Sequence, residues 1–200
     1  MFTGIVQSVG AIAAMEARGD DCRLHVSTAG LGLEGVSLGD SIAVSGACLT
    51  AVTLDADRFA ADVSRETLAC TTLGNLAVGD RVNLEKSLTP ATPLGGHLVS
   101  GHVDGVGELI ERSDDARSVR MRLRVPDDLA RYVVRKGSIC IDGVSLTVND
   151  VDGAEFGINL VPHTLGATTL GDFRPGRAVN IEVDQVARYL ERLLEARDGA

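Results

Sequence analysis

Polar and apolar residues alternate along most of this chain, and that two-residue period is typical of β-strands with one buried face. Apolar residues take every second position from 119 to 125, with arginines between them, and the alternation returns from 179 to 183. Turn signals such as Asp152-Gly153 separate the short strands. A helical insert is predicted at residues 126–132, because Pro126 suits a first helical turn and the following acids complement the helix dipole.

The strand pattern occurs twice. Shifting the chain by 97 residues aligns Leu49-Thr50 with Leu146-Thr147, and the motif TTLG at 71–74 with the same letters at 168–171. The match needs no gap between residues 4 and 85 and contains roughly two dozen identical pairs. Two copies of one domain are therefore predicted, joined by residues 87–94, whose prolines suit a connector. About six strands in roughly 90 residues per copy favour a small closed barrel, because closure removes exposed strand edges.

The last segment has a different period. Val186, Leu190, Leu193 and Leu194 are spaced along one face of a helix. Two interpretations stay open on spacing alone, because two heptads are too few to identify a coiled coil. The apolar stripe packs on its own barrel, or it joins a helix bundle between subunits.

Composition narrows the classes of function. The net charge of −9 argues against a nucleic-acid partner, which would need a basic face. No apolar run approaches the ~20 residues of a membrane span, and the first ten residues do not resemble a signal peptide. The four cysteines lack CxxC spacing, which favours free thiols in a reducing compartment. A cytoplasmic protein with no membrane partner is expected.

The two copies differ at several otherwise matched positions. Drift after duplication can explain any single difference. Several of the changes, however, place polar or ionisable groups in the second copy, and such groups are candidates for chemistry. The differing pairs are Cys48 with Ser145, Ile5 with His102, Ser87 with Asp184, Gly39 with Lys136, and Asp62 with Asn159.

Each of these residues has a chemical and a structural interpretation. His102 could move protons, a role that histidine often has in catalysis. Cys48 could be a nucleophile or a small hydrophobic residue. Ser145 and Thr147 share a strand face, where such pairs commonly hydrogen-bond between strands, and Asp184 could orient a hydroxyl or cap a helix. The sequence has no zinc-ligand spacing, P-loop or GxGxxG motif, so neither a metal nor a nucleotide cofactor is predicted.

Five motifs carry a resemblance to a known family: MFTGIV, GACLT, the duplicated TTLG, GGHLVSGHVDG and KGSICIDGVSLTV. From residue 1 to about residue 192, the chain resembles the riboflavin synthase family of the alpha-chain type, which carries two lumazine-binding repeats. The resemblance implies an all-β fold of two tandem six-stranded antiparallel Greek-key barrels plus a C-terminal α-helix. The implied boundaries are 1–97 and 98–184 for the barrels, and 185–200 for a helix and tail that assemble a homotrimer.

The resemblance also implies a reaction. Two molecules of 6,7-dimethyl-8-ribityllumazine exchange a four-carbon unit without a cofactor, giving riboflavin and 5-amino-6-ribitylamino-pyrimidinedione in the last step of riboflavin biosynthesis. Both substrates lie between the N-terminal barrel of one subunit and the C-terminal barrel of a neighbour, and lumazine synthase is a further partner to consider. The alternative is a non-catalytic lumazine- or flavin-binding protein of the same architecture. The joint presence of Cys48, His102, Ser145, Thr147 and Asp184 favours the enzyme.

Roles for individual residues follow from the same resemblance. His102 with Thr147 is expected to remove a proton from the 7-methyl group of one substrate. Ser145, held by Asp184, and Cys48 are expected to polarise or add to ring carbons of the other. The implied first pocket uses Gly4, Ile5, Val6, Ser41, Cys48, Leu49, Thr50, Asp62, Val63, Ser64, Arg65, Glu66 and Thr67. The implied second pocket uses Gly101, His102, Val103, Lys136, Ser145, Leu146, Thr147, Asn159, Leu160, Val161, Pro162, His163 and Thr164.

Overall fold

The computed structural model describes residues 1–198, and its N-terminal half forms a closed barrel. The barrel contains β1 (Ser8–Arg18), β2 (Asp21–Ser27), β3 (Ser41–Val44), β4 (Ala47–Leu54), β5 (Arg58–Val63) and β6 (Arg81–Lys86), with a short helix α1 (Arg65–Cys70) after β5. The strand order is β1-β2-β5-β4-β3-β6, and β1 pairs antiparallel with both β2 and β6. The first predicted six-stranded barrel is confirmed.

The C-terminal half forms a curled sheet of seven strands. These are β7 (Gly105–Asp115), β8 (Ser118–Arg124), β9 (Ser138–Ile141), β10 (Val144–Thr147), β11 (Asp150–Asp152), β12 (Glu155–Leu160) and β13 (Ala178–Val183), with α2 (Pro162–Ala167) after β12. The order is β10-β9-β13-β7-β8-β12-β11, so the two edge strands are consecutive in the chain. Together they correspond to β4, which Val148 and Asn149 interrupt in this copy. The prediction of a second six-stranded barrel is corrected in this respect.

The short helical segments follow the sequence closely. The insert predicted at 126–132 is a 3-10 helix, Asp127–Tyr132, and Pro126 precedes it. The duplicated TTLG motif forms two matching 3-10 helices, Thr72–Asn75 and Thr169–Asp172. In each, the preceding threonine accepts a backbone N–H with its hydroxyl, which satisfies a donor that the helix leaves unpaired.

Each half has its own hydrophobic core, formed by the inward face of its strands. Because strand side chains alternate between faces, every second residue is directed out of the core. The largest buried side chains include Leu24, Ile42, Phe59 and Leu84 in the first half, and Leu109, Leu123, Ile141 and Phe156 in the second.

The two halves meet at equivalent tight turns. Gly46 and Gly143 have φ values of +84° and +80°, and a Cβ on either would lie 2.8–2.9 Å from the backbone nitrogen of the other. The Asn83 amide donates to the Asp142 carbonyl across this contact at 2.8 Å, and Asn180 makes the equivalent bond in the opposite direction. The halves are therefore related by an approximate twofold axis that passes between the two glycines.

The C-terminal helix α3 (Gln185–Asp198) leaves its apolar stripe uncovered in this chain. The stripe residues Val186, Tyr189, Leu190, Leu193 and Leu194 are 41% to 69% exposed. Polar residues on another side tie the helix to the second half, through the pairs Glu191–Tyr132, Glu191–Arg131 and Arg188–Asp104. The interpretation in which the stripe packs on its own barrel is therefore wrong. Across residues 1–198, no helix combines the length and apolar character needed to cross a bilayer.

Candidate functional site

The residues that distinguish the two copies lie on the outer faces of the sheets. Cys48 and Thr50 flank Leu49, whose side chain is buried in the first core. Ser145 and Thr147 occupy the equivalent positions on β10, where both side chains are partly or fully accessible. A ligand that contacts these groups therefore binds outside the barrels, against a surface that a second element must close.

Two short arms, residues 2–6 and 99–103, run between the halves and complete these outer faces. The Cys48 N–H donates to the Gly101 carbonyl at 2.8 Å, and the Ser145 N–H donates to the Gly4 carbonyl at 2.7 Å. Both arm glycines have positive φ, and a Cβ on Gly4 would lie 2.6 Å from Ser145 Cβ. Glycine is required there because no side chain fits between the arm and the strand.

Each arm contacts the opposite half from the one that the sequence repeat predicts. Val103 packs against the first core and Val6 against the second. The prediction that Gly4, Ile5 and Val6 share a pocket with Cys48, and that Gly101, His102 and Val103 share one with Ser145, is therefore wrong. Each arm crosses to the other half because the approximate twofold axis lies between them. The groups brought together are Cys48, Thr50, Gly101, His102 and Val103 in a thiol site, and Ser145, Thr147, Gly4, Ile5 and Val6 in a hydroxyl site.

Two buried glutamates hold the arms in place. Glu85 accepts the Thr3 N–H and hydroxyl, both at 2.7 Å, and the Gly4 N–H at 3.0 Å. Glu182 accepts the equivalent bonds from Ser100 and Gly101 at 2.6–2.9 Å. Burial raises the pKa of both carboxyls, and the three hydrogen bonds to each only partly offset that effect. Sequence reasoning missed both glutamates, although their match in the repeat was visible as a signal.

The serine of the hydroxyl site has a histidine partner. His97 Nδ1 lies 2.7 Å from Ser145 Oγ. Asp184, which was predicted to hold Ser145, instead accepts the Val186 N–H at 3.0 Å and so caps the start of α3. Among the described residues no hydrogen bond joins Asp184 to Ser145, so that prediction is corrected. The capping interpretation of Asp184 is confirmed.

The cysteines differ sharply in their environment. Burial raises the pKa of the Cys140 thiol well above its usual value, which makes it unreactive. Cys48 is only partly buried, in contact with Phe2 and Val99 of the two arms. Cys48 is thus the thiol of the outer site that a ligand can approach.

Lys136 stands in the left-handed conformation, with φ of +69°, where the first copy has Gly39 with φ of +92°. A lysine pays a steric penalty in this conformation that glycine avoids. Its side chain is exposed, and the Lys136 N–H donates to the Val148 carbonyl at 2.8 Å beside the hydroxyl site. A strained residue at such a place is a candidate for a functional role.

The remaining residues predicted to contact a ligand differ in whether their side chains are buried or accessible. Leu49, Val63 and Leu160 are buried in the cores, so they can meet a ligand only through their backbone. Asp62 is paired with Arg23 at 2.6–2.8 Å, and that guanidinium lowers the pKa of the carboxyl. Ser41 lies opposite Thr50 in the β3–β4 pair, at the edge of the thiol site. The accessible or partly accessible others are Ser64, Arg65, Glu66 and Thr67 around α1, and Asn159, Val161, Pro162, His163 and Thr164 around α2, while Leu146 packs partly on the second core.

Two open grooves lie beside these sites. A groove of about 710 Å³ runs between α3 and the second half, and it is lined by Ser138, Asp184 and stripe residues of α3. Ser138 lies opposite Thr147, so this groove adjoins the hydroxyl site. A second groove of about 480 Å³ lies beside His102, Asp104 and Arg188. In the part of the chain that is described, no group of His, Cys, Asp and Glu side chains has the arrangement of a metal site.

Comparisons with known proteins agree with this architecture. A family profile described as the lumazine binding domain matches residues 3–87 and 100–184. Riboflavin synthase of Photobacterium phosphoreum is 50% identical over 97% of this chain and 89% of its own length. Riboflavin synthase of Mycobacterium bovis is 46% identical over 98% of this chain and 99% of its own length.

Solved structures give the same result. The structure of LumP complexed with riboflavin is 30% identical, has a TM-score of 0.83, and covers 92% of this chain and 99% of that chain. LumP complexed with 6,7-dimethyl-8-(1'-D-ribityl) lumazine is 28% identical, with a TM-score of 0.82 and the same coverage. The profile matches both halves, and the named relatives match nearly the whole chain. The chain therefore belongs to the riboflavin synthase family.

Proposed function

We propose that this protein is a riboflavin synthase that converts two molecules of 6,7-dimethyl-8-ribityllumazine into riboflavin and 5-amino-6-ribitylamino-pyrimidinedione. The observation that carries the proposal is the pair of equivalent outward-facing sites with different chemistry, one with a thiol at Cys48 and one with a hydroxyl at Ser145. The reaction joins two copies of one substrate in opposite roles. Two copies of one site bind both molecules, and their differences assign the roles.

The protein acts as a homotrimer in which the thiol site of one subunit faces the hydroxyl site of a neighbour. Both sites are on outer faces, so neither encloses a bicyclic ligand by itself. The exposed stripe of α3 supplies an apolar surface for assembly, and burying a large apolar side chain contributes about 1.5–3 kcal/mol. The arrangement stacks the two substrates face to face.

Orientation is the larger contribution to the rate. Holding two reactants in a reactive geometry can lower a barrier by ~7–11 kcal/mol. General acid–base assistance adds about 10²–10⁴-fold, or less than ~6 kcal/mol. This division suits sites that contain few strongly reactive groups.

The exchanged arms change how the roles are shared between subunits. His102 belongs with the thiol site and Thr147 with the hydroxyl site. The two therefore act together across the subunit boundary when they remove a proton from the 7-methyl group. Ser145 and Cys48 act from opposite sides on the ring carbons of the bound molecules, and Lys136 binds an oxygen of the ligand in the hydroxyl site.

A binding protein without activity is the second candidate, because the LumP structures contain lumazine and riboflavin. The two named riboflavin synthases are more similar to this chain, at 50% and 46% identity, than the LumP structures are, at 28% and 30%. The enzyme is therefore favoured over the carrier.

One incubation separates the two candidates. The purified protein is mixed with 6,7-dimethyl-8-ribityllumazine alone, and riboflavin absorbance is followed. The enzyme forms one riboflavin for each two lumazines consumed, whereas a carrier forms a stable coloured complex with no product. The residue assignments are then tested with Cys48→Ser, His102→Gln and Ser145→Ala, and turnover near that of the unchanged protein in all three contradicts them.

We also propose a cytoplasmic location and a protein partner. All four cysteines are free thiols, as expected in the cytoplasm. Association with lumazine synthase is proposed from the family resemblance. Co-purification of the two proteins tests it.

A further inference from the structure

The GGHLVSGH segment places a histidine against Ser145. His97 Nδ1 is 2.7 Å from Ser145 Oγ, and the His97 N–H donates to the Thr3 carbonyl at 3.1 Å. Gly96 makes this approach possible, since a Cβ there would lie 2.7 Å from Ser145 Cβ and 2.9 Å from Ser145 Oγ. The backbone hydrogen bond to Thr3 therefore holds His97 in place, and the absence of a side chain at Gly96 leaves room for the ring beside Ser145.

The environment favours the neutral form of this imidazole. Burial lowers the pKa of His97, and the nearby Asp184 carboxylate opposes the shift only in part. A neutral imidazole has one donor and one acceptor nitrogen. His97 Nε2 is buried and has no hydrogen-bond partner among the described residues. The hydrogen bond of the ring is therefore the one between Nδ1 and Ser145.

The equivalent cysteine has no such partner. Within residues 1–198, the Cys48 thiol makes no side-chain hydrogen bond. A thiol ionises far more readily than a serine hydroxyl, so a serine nucleophile needs an adjacent base where a cysteine does not. His97 thus lies beside Ser145, which needs a base to act as a nucleophile, and not beside Cys48, which does not.

We propose that His97 is the proton acceptor of Ser145, a positioning residue that acts on the substrate through the serine hydroxyl. This role rests on the proposed function. As Ser145 Oγ bonds to an electron-poor C=N carbon of the bound bicycle, its O–H proton passes to His97 Nδ1. The electron pair of the attacked C=N bond moves onto the nitrogen. When the C–O bond breaks, that pair re-forms the C=N bond and Nδ1 returns the proton to Oγ, so no other reactant is consumed.

The test compares amide replacements at His97 with Ser145→Ala. The asparagine in His97→Asn places an amide near the Nδ1 position, where it can hydrogen-bond Ser145 but cannot accept a proton. We expect kcat to fall by about 10²–10³-fold, while KM and the affinity for riboflavin change less than about threefold. In the double variant His97→Asn with Ser145→Ala, kcat should be no lower than in Ser145→Ala alone, because both changes remove the same step.

The control is His25→Asn, which alters a partly exposed histidine of the first half whose Nε2 lies 2.9 Å from Glu16. Its kcat should match that of the unchanged protein. A kcat for His97→Asn within about threefold of wild type overturns the inference, as does a double variant whose losses multiply. If His97→Asn loses riboflavin binding, His97→Gln, whose amide reaches the Nε2 position, is judged by the same kcat criteria. An unchanged protein without turnover overturns the proposed function instead.

Discussion

Asp142 is a buried carboxylic acid at the contact between the two halves, and its replacement by asparagine tests how that contact responds to pH. Its Oδ1 accepts the Asn180 N–H at 2.7 Å, and the equivalent Ser45 hydroxyl accepts the Asn83 N–H at 3.3 Å. Burial raises the pKa of Asp142 from 3.8 to about 7. The folded protein therefore binds this proton more tightly than the unfolded chain does.

The sign and size of the effect follow from that difference. The stability that comes from the bound proton is fully present below pH 3.8 and is lost as the pH rises through about 7. Each pKa unit corresponds to ~1.36 kcal/mol, so the whole shift is worth up to ~4 kcal/mol, and the interval from pH 5 to pH 8 about 2–3 kcal/mol. Because asparagine does not titrate, Asp142→Asn should gain about 2–3 kcal/mol of unfolding free energy relative to wild type over that interval.

Urea unfolding at four pH values from 5 to 8 measures this difference, at one protein concentration because assembly contributes to stability. Any constant effect of the substitution cancels, since only the change with pH is used. The matched variant Ser45→Asp places a second carboxyl at the symmetric position, and its stability should fall more steeply with pH than that of wild type. A difference between Asp142→Asn and wild type that stays constant with pH refutes the reasoning.

Two further changes test assembly and binding. Leu190→Glu with Leu193→Glu should produce a folded monomer without turnover, as seen by light scattering and the lumazine assay, because two exposed stripe residues become charged. The control Glu195→Lys changes a charged residue of α3 that is not part of the stripe and should leave the trimer intact. An active double-glutamate monomer would contradict the inter-subunit site. Lys136→Gly should leave the fold as stable as wild type or stabilise it by up to ~1 kcal/mol, yet weaken riboflavin binding in a fluorescence titration; unchanged affinity would show that the strained lysine has no role toward the ligand.

The sequence predicted the strands and the duplication because both are local patterns. A two-residue period marks a half-buried strand wherever it occurs, and a fixed offset between copies needs no knowledge of contacts. The break at Val148 and Asn149 was not predicted, although the sequence carries a sign of it: the polar pair Asn149-Asp150 ends the alternation that Val144, Leu146 and Val148 follow. The interruption lies where the pairing partner changes, because β10 pairs with β9 and β11 pairs with β12.

The arrangement of the arms could not be predicted in the same way. A repeat alignment matches Gly4 with Gly101, but it does not say which half each glycine touches. Exchange across the twofold axis is decided by packing between the halves, such as the approach of Gly101 to Cys48. The contact of His97 with Ser145 was missed for a related reason, because His97 precedes the aligned part of the second copy and has no counterpart in the first.

The exchanged arms explain how one duplicated fold can treat identical substrates differently. Each outer site takes its strand from one half and its arm from the other, so a change in either copy alters both sites in different ways. His102 reaches the thiol site on an arm from the second copy, while His97 precedes that arm and reaches Ser145. Both histidines therefore come from one stretch of chain and yet belong to opposite sites. Two identical sites would bind two identical molecules in the same way and give neither a preferred role. Here the two sites differ, because one has the Cys48 thiol near His102 and the other has the Ser145 hydroxyl hydrogen-bonded to His97. A few substitutions thus remove the equivalence of the sites and leave the shared scaffold intact.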